Sequence, residues 1–177
     1  MWKRTALLLA AVLTTGNLVG CSGITDAFRG CEGSEGRVER LRSLDLLDSP
    51  PVGATRPRGL EDVDAGCWED SGEAWVYAES TYTFPGTPAE VVRHYGAAAD
   101  RDGWQQATSR AAVSGHPIDL CFTRAVGGDP AVLTVRSLGP DAFEEEGRGA
   151  PPELATGSGY GVSVTVDAAG GDVDCEG

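Results

Sequence analysis

With 27 acidic side chains against 14 basic ones in 177 residues, the chain carries a formal net charge of -13, so simple repulsion argues against nucleic acid or the bare surface of an anionic membrane as a partner. Its length suits one domain with a real core and falls short of the two lobes of a typical solute-binding transport component. Five cysteines and two histidines, with no Cys-x-x-Cys spacing, favour disulfides in an exported protein over a zinc site.

Residues 1–20 divide into a basic head (Lys3, Arg4), an apolar stretch from Ala6 to Leu13 and a polar stretch ending at Gly20. That is the layout of an export signal, and its apolar part is too short to span about 30 Å of hydrocarbon as a helix. Lys3-Arg4 is not a twin-arginine pair, so the general secretion route is the simpler expectation. Leu18-Val19-Gly20-Cys21 resembles the lipobox of bacterial lipoproteins, in which the cysteine takes a diacylglycerol and becomes the mature N-terminus. The resemblance implies a signal peptide over 1–20, a lipidated tether over 21–33 and one domain over 34–177. It also implies an acyl anchor such as palmitate on Cys21 at the outer face of the cytoplasmic membrane. Loss of Lys3 and Arg4 would take the charge to about -15, so lipid, at about 0.8 kcal/mol per buried methylene, would have to hold the domain there. Ten residues from Cys21 to Cys31 reach at most about 35 Å.

Val38, Leu41, Leu44 and Leu47 recur at helical spacing among arginines and a glutamate, predicting a short amphipathic helix stopped by Pro50-Pro51. Val52 to Gly66 reads as irregular chain, and Asp70-Ser71-Gly72 as a turn. Trp75 to Phe84, dense in aromatic and β-branched residues, predicts a strand. Thr87-Pro88-Ala89-Glu90 is a capping box that opens a helix, and Asp102-Gly103-Trp104 ends it with Gly103 left-handed. Ile118, Leu120 and Phe122 alternate, Gly127-Gly128-Asp129-Pro130 turns the chain into a strand over Ala131–Leu138, and Tyr160, Val162, Val164 and Val166 alternate in a last strand. Between these two strands, 139–159 is long enough to be a mobile loop. The expected fold is α+β: an antiparallel sheet in the order β-α-β-β-β, one main helix on a face, and the short N-terminal helix.

If Cys21 is lipidated, Cys31, Cys67, Cys121 and Cys175 form an even set with three pairings open to it. Cys121 points away from Leu120 and Phe122, so its partner must lie over the opposite face. The expectation is Cys67 with Cys121 and Cys31 with Cys175. The segment from Trp75 through Trp104 to Cys121-Phe122-Thr123-Arg124 resembles uncharacterised small lipoproteins of actinobacteria, a source that the Ala-, Gly- and Arg-rich, Lys-poor composition also suggests. These motifs are caps, stops and core positions, and the resemblance brings no activity with it.

No Gly-x-Ser-x-Gly, HExxH or phosphate-cradling loop occurs, and Gly157-Ser158-Gly159-Tyr160-Gly161 precedes a strand where a dinucleotide fingerprint would precede a helix. The leading expectation is therefore a non-catalytic envelope lipoprotein with a binding or assembly role, no cofactor, and an envelope protein as partner. Two alternatives stand beside it. One is a small secreted hydrolase that brings Asp62, Asp64 or Glu73 to His94 or His116. The other is a cation- or glycan-binding module. For a cation, Asp62, Asp64 and Asp70 are the candidate ligands, but Gly66 stands where an EF-hand ligand would be, so a solvated acidic face is expected. For a glycan, Trp68, Trp75 and Tyr77 are the candidate platform, with Trp75 and Tyr77 expected instead to pack beneath the N-terminal helix.

Overall fold

The computed structural model describes residues 30–107, 117–139, 152–155 and 158–175. The expected signal peptide, Cys21, most of the tether, His116 and most of the 139–159 loop lie outside the described residues. In chain order the elements are α1 (Glu35–Arg42), a 3₁₀ turn (Asp45–Leu47), β1 (Asp64–Asp70), β2 (Glu73–Phe84), α2 (Pro88–Arg101), β3 (Gln105–Gln106), β4 (Asp119–Val126), β5 (Asp129–Leu138), a second 3₁₀ turn (Pro152–Ala155) and β6 (Ser158–Asp167). The strands form one antiparallel sheet in the order β1-β2-β6-β5-β4-β3. The class is α+β, as expected, but two strands join the anticipated four. β1 escapes a hydrophobicity reading because it is an edge strand: only Ala65 and Cys67 pack on the core, and Asp64, Trp68, Glu69 and Asp70 are exposed. β3 is two glutamines, too short for any pattern.

The helices form where their caps dictate. At α2, the Thr87 amide and hydroxyl both donate to Glu90 Oε2, at 2.8 and 2.9 Å; these bonds, the amide's foremost, hold the Glu90 carboxyl below its ordinary pKa. The other end closes with Trp104 N donating to Ala99 O at 2.9 Å and Gly103 N to Asp100 O at 3.1 Å around a left-handed Gly103, a Schellman motif. The N-terminal helix is shorter than its apolar period suggests. After Arg42 the Ser43 hydroxyl bonds back to Arg40 O at 2.9 Å and Leu44 turns extended. After that break Leu46 and Leu47 of the 3₁₀ turn both reach the core.

Period two then sorts the sheet into unlike faces. Val76, Ala78, Ser80 and Tyr82 of β2 register with Val166, Val164, Val162 and Tyr160 of β6. Beyond them Ala131, Leu133 and Val135 of β5 continue the face to Leu120 and Phe122 of β4. Leu41, Leu46, Leu47, Val91 and Tyr95 cover this side, and all of these residues are buried together. The helix α1 is also fastened by charge: Arg37 and Arg40 each approach Asp129 Oδ2 at 3.5 Å, and Arg37 donates to Ala168 O.

The disulfides are Cys31–Cys67 and Cys121–Cys175, so the expected pairing is wrong. Cys67 and Cys121 occupy opposite faces of the sheet and cannot meet. Cys67 registers with the core residue Val76, so it lies on the helix side, where Cys31 enters just ahead of α1. Cys121 lies on the other side, and what crosses that side is the C-terminal tail.

Both tight hairpins use two-residue loops with positive φ at both positions, Ser71 (51°) with Gly72 (91°) and Gly127 (65°) with Gly128 (98°), the geometry that matches strand twist. Ser71 is the one non-glycine with positive φ among the described residues. Ser71→Asn is therefore expected to stabilise by on the order of 0.5 kcal/mol and Gly128→Val to destabilise by more than about 1 kcal/mol. Urea midpoints at unchanged m-value check both.

Candidate functional site

The sheet face away from the helices carries the side chains that the core does not use. On β2 these are Trp75, Tyr77, Glu79, Thr81 and Thr83; beside them run Asp167, Thr165 and Ser163 of β6, then Val132, Thr134 and Arg136 of β5. Trp75 and Tyr77 thus point away from α1, contrary to expectation, because they alternate with the buried Val76 and Ala78. Neither belongs to the core cluster. Across the edge Trp68 registers with Trp75 on the same face and is 53% exposed.

Three glycines shape this face. A Cβ at Gly66 would meet Tyr77 Oη at 3.2 Å, one at Gly161 would meet Glu79 Oε1 at 3.0 Å, and one at Gly159 would overlap Leu154. Tyr77 therefore lies over β1, Glu79 lies over β6, and the second 3₁₀ turn seats Leu154 at the far end. Thr134 Oγ1 and Ser163 Oγ bond across the strands at 2.8 Å. The result is a hydroxyl-rich platform with an aromatic border of Trp68, Trp75 and Tyr77, suited to stacking and hydrogen bonding.

Among the described residues, those proposed for catalysis are not brought together. His94 Nε2 contacts Ser49 O at 2.6 Å and its ring stands edge-on to Tyr95 at 5.0 Å. Among the described residues no carboxylate is paired with it. Glu73 sits at the β1–β2 hairpin beside Glu69 and Asp70, around a shallow notch with no histidine in its lining. His116 lies outside the described residues. The candidate cation ligands are likewise separated. Asp64 and Asp70 stand at opposite ends of β1, about 20 Å apart at about 3.3 Å per residue, and Asp62 is exposed in the preceding loop. No three His, Cys, Asp or Glu side chains among the described residues converge closely enough for a metal ion.

Arg56 is the polar residue that the sequence concealed. It lies in a Pro- and Gly-bearing loop with no periodic neighbours to mark it. Its Nη2 donates to Asp48 Oδ1 at 2.5 Å, Ser80 Oγ at 3.0 Å, Tyr82 Oη at 3.2 Å and Leu47 O at 3.3 Å, and Nη1 donates to Glu61 O at 2.7 Å. The guanidinium also stands 5.3 Å from the Tyr82 ring centre. These donors satisfy the buried Ser80 and Tyr82, so Arg56 is a structural clamp. Behind it Tyr82 stacks on Tyr160 at 5.5 Å, and Tyr160 meets Tyr95 at 5.8 Å. The Tyr95 and Tyr160 hydroxyls are buried without a partner of hydrogen-bonding geometry. Burial, before any neighbouring charge, pushes both phenol pKa values up, Tyr95 further than Tyr160.

No protein-family model, curated protein or solved structure matches this chain. The fold defines the class as far as a disulfide-pinned α+β domain whose second sheet face is polar and largely half-buried, with Trp68 exposed at its edge. Beyond that, the chemistry of the residues has to speak.

Two outcomes follow. Arg56→Met is expected to cost on the order of 2 kcal/mol by leaving the buried Ser80 without its donor, while Tyr82 keeps its bond to Leu47 O, and Arg56→Lys to recover little because an ammonium does not reproduce the planar fork. Chemical denaturation measures both. Since the folded state raises the Tyr95 and Tyr160 pKa values above about 10, the stability that needs neutral phenols is complete below that pH and falls as pH rises past it. Phenolate absorbance from these two rings should appear only with unfolding. Tyr95→Phe should keep neutral-pH stability, because it removes an unpartnered hydroxyl, and move alkaline unfolding to higher pH.

Proposed function

We propose that the chain is an exported lipoprotein of the kind found in actinobacteria, held at the outer face of the cytoplasmic membrane by diacylglycerol on Cys21, and that its domain is a non-catalytic binding module working through the open sheet face. The observation that carries the reading is the disulfide set. Cys31–Cys67 and Cys121–Cys175 take up every cysteine except the one in the lipobox-like segment. Two disulfides belong to an oxidising compartment, and the remaining thiol is the one that lipid chemistry would consume. Among the described residues no helix is long and apolar enough to cross a membrane. The separation of His94 from Glu73, Asp62 and Asp64 favours binding over hydrolysis. Detergent phase partitioning of cell extracts tests the anchor: the wild-type chain should enter the detergent phase, and Cys21→Ala should leave it for the aqueous phase. A Cys21→Ala chain that still partitioned with membranes would end the proposal.

The binding partner is either an envelope protein or a glycan, and the exposed Trp68 beside Trp75 favours adding the glycan. Stacking on a sugar ring needs an accessible aromatic, and Trp68 supplies one at no cost to the core. Trp68→Ala should leave the melting temperature within about 1 °C, consistent with a surface substitution, and abolish co-sedimentation with insoluble cell-wall polysaccharide. Undiminished sedimentation would rule out the glycan and leave the protein partner.

A further inference from the structure

On the polar face of the sheet, Trp68 of β1, Trp75 of β2 and Asp167 of β6 stand side by side in register, in a row about 10 Å across at the usual strand spacing. Towards the hairpin, Asp70 and Glu73 register with each other, and alternation puts both on this same face. Glu69 belongs to the opposite face, where its Oε1 accepts from Cys31 N. The tryptophan pair is therefore bordered by three carboxylates, one from each of three strands. Trp68 is exposed among them and Trp75 is half-buried.

Elsewhere acids and bases meet. Asp129 stands 3.5 Å from both Arg37 and Arg40, Asp48 2.5 Å from Arg56, Asp102 3.5 Å from Arg101 and Asp119 3.8 Å from Arg136. Arg124, without a carboxylate, packs on the Trp104 ring at 4.6 Å and donates to Asp102 O on the helix side. Among the described residues no basic side chain pairs with Asp70, Glu73 or Asp167. Asp70 accepts from Ser71 Oγ at 3.0 Å, and Asp167 Oδ1 accepts from the Ala169 and Gly171 amides at 2.6 and 3.2 Å. Those amides hold the Asp167 carboxylate beside Trp75 and leave its charge uncompensated. Solubility alone explains scattered acids, but it does not call for an exposed tryptophan set among them. Such surroundings repel an anion and attract a cation.

We propose that the ligand of this face is a glycan of amino sugars whose amines are free, not acetylated, with a sugar ring stacked on Trp68 and an ammonium group held by the Trp75 ring and the carboxylates of Asp167, Glu73 and Asp70. This rests on the reading of the face as a glycan-binding surface and adds the charge that the glycan must carry. An ammonium over an indole gains from the ring quadrupole, and a carboxylate beside it adds charge-assisted hydrogen bonds. Acetylation removes that charge and leaves the three carboxylates unanswered. A chain with a net charge of -13 also draws a polycation at long range, so binding weakens as salt rises.

Indole N–H chemical shifts of the full chain in detergent, titrated with a glucosamine tetramer and separately with its N-acetylated counterpart at a pH that keeps the sugar amines protonated, test this. The expected result is a saturable shift of Trp68 and Trp75 with the glucosamine tetramer, while Trp104, buried on the other side, stays unmoved. The acetylated tetramer should bind at least about tenfold more weakly. The combined variant Asp70→Asn, Glu73→Gln, Asp167→Asn removes the charges and keeps an acceptor for the Ala169 and Gly171 amides. It should fold and bind the glucosamine tetramer about tenfold more weakly, as the loss of three exposed ion pairs implies. Equal binding of the two tetramers would overturn the charge requirement and leave the glycan reading in place, which fails separately if Trp68→Ala sediments undiminished with polysaccharide. Binding of neither tetramer, or tighter binding of a tetralysine peptide, would also overturn the proposal.

Discussion

The last strand, β6, lies in the middle of the sheet, paired with β2 from Trp75–Asp167 to Phe84–Ser158 and with β5 from Ala131–Val166 to Leu138–Gly159. Everything else follows from that insertion. It brings the valines of β6 between β2 and β5, makes one face continuously apolar, and gives α1, the 3₁₀ turn and α2 a surface to cover. The burial of Val162, Val164 and Val166 on that face supplies roughly 1.5–3 kcal/mol per side chain before entropy is counted. A sheet has two faces, however, and the described helices cover one. The second face is managed by other means: threonines and serines that bond one another, glycines that let Tyr77 and Glu79 lie across neighbouring strands, Leu154 over Gly159, and a tail stapled to β4.

How much of this the sequence reveals depends on whether a residue's role is local. The capping box at Thr87–Glu90, the glycine stop at Gly103 and the Gly127–Gly128 hairpin are all readable, since each is a property of a few adjacent residues. So is the alternation of β6. The edge strand β1 is not, because an edge needs charge on it and therefore imitates a loop. The disulfides are not either. Facing directions can be read from alternation, and that of Cys121 is right, but choosing its partner requires knowing that the C-terminal tail, and not the N-terminal segment, crosses the open face. Arg56 and Arg124 matter for what surrounds them in space, and nothing in their sequence neighbourhoods announces it.

The candidate site shows the same division. Aromatic residues at Trp68, Trp75 and Tyr77 stand out in the sequence, but the usual burial of large rings points Trp75 and Tyr77 the wrong way. Only the strand parity set by Val76 and Ala78 turns them outward. The acidic residues from Glu61 to Glu73, which look like a cluster when written in a line, are spread by the extended geometry of β1 over both ends of a strand. Extension disperses along a strand what a helix or loop would gather. The reverse happens at the hollow bordered by Gly103, Gln105, Thr123 and Val173, where residues from the end of α2, β3, β4 and the tail converge despite wide separation in the chain.

The disulfide pairing joins the fold to the proposed function. It fixes α1 to the sheet edge through Cys31–Cys67 and the tail to the open face through Cys121–Cys175, and it leaves Cys21 alone. Mass spectrometry of non-reduced peptides from membrane-extracted protein tests that claim most directly. The account predicts linked peptides containing Cys31 with Cys67 and Cys121 with Cys175, together with an N-terminal peptide beginning at a diacylglyceryl-modified Cys21. A disulfide that includes Cys21, or a Cys67–Cys121 link, would contradict it.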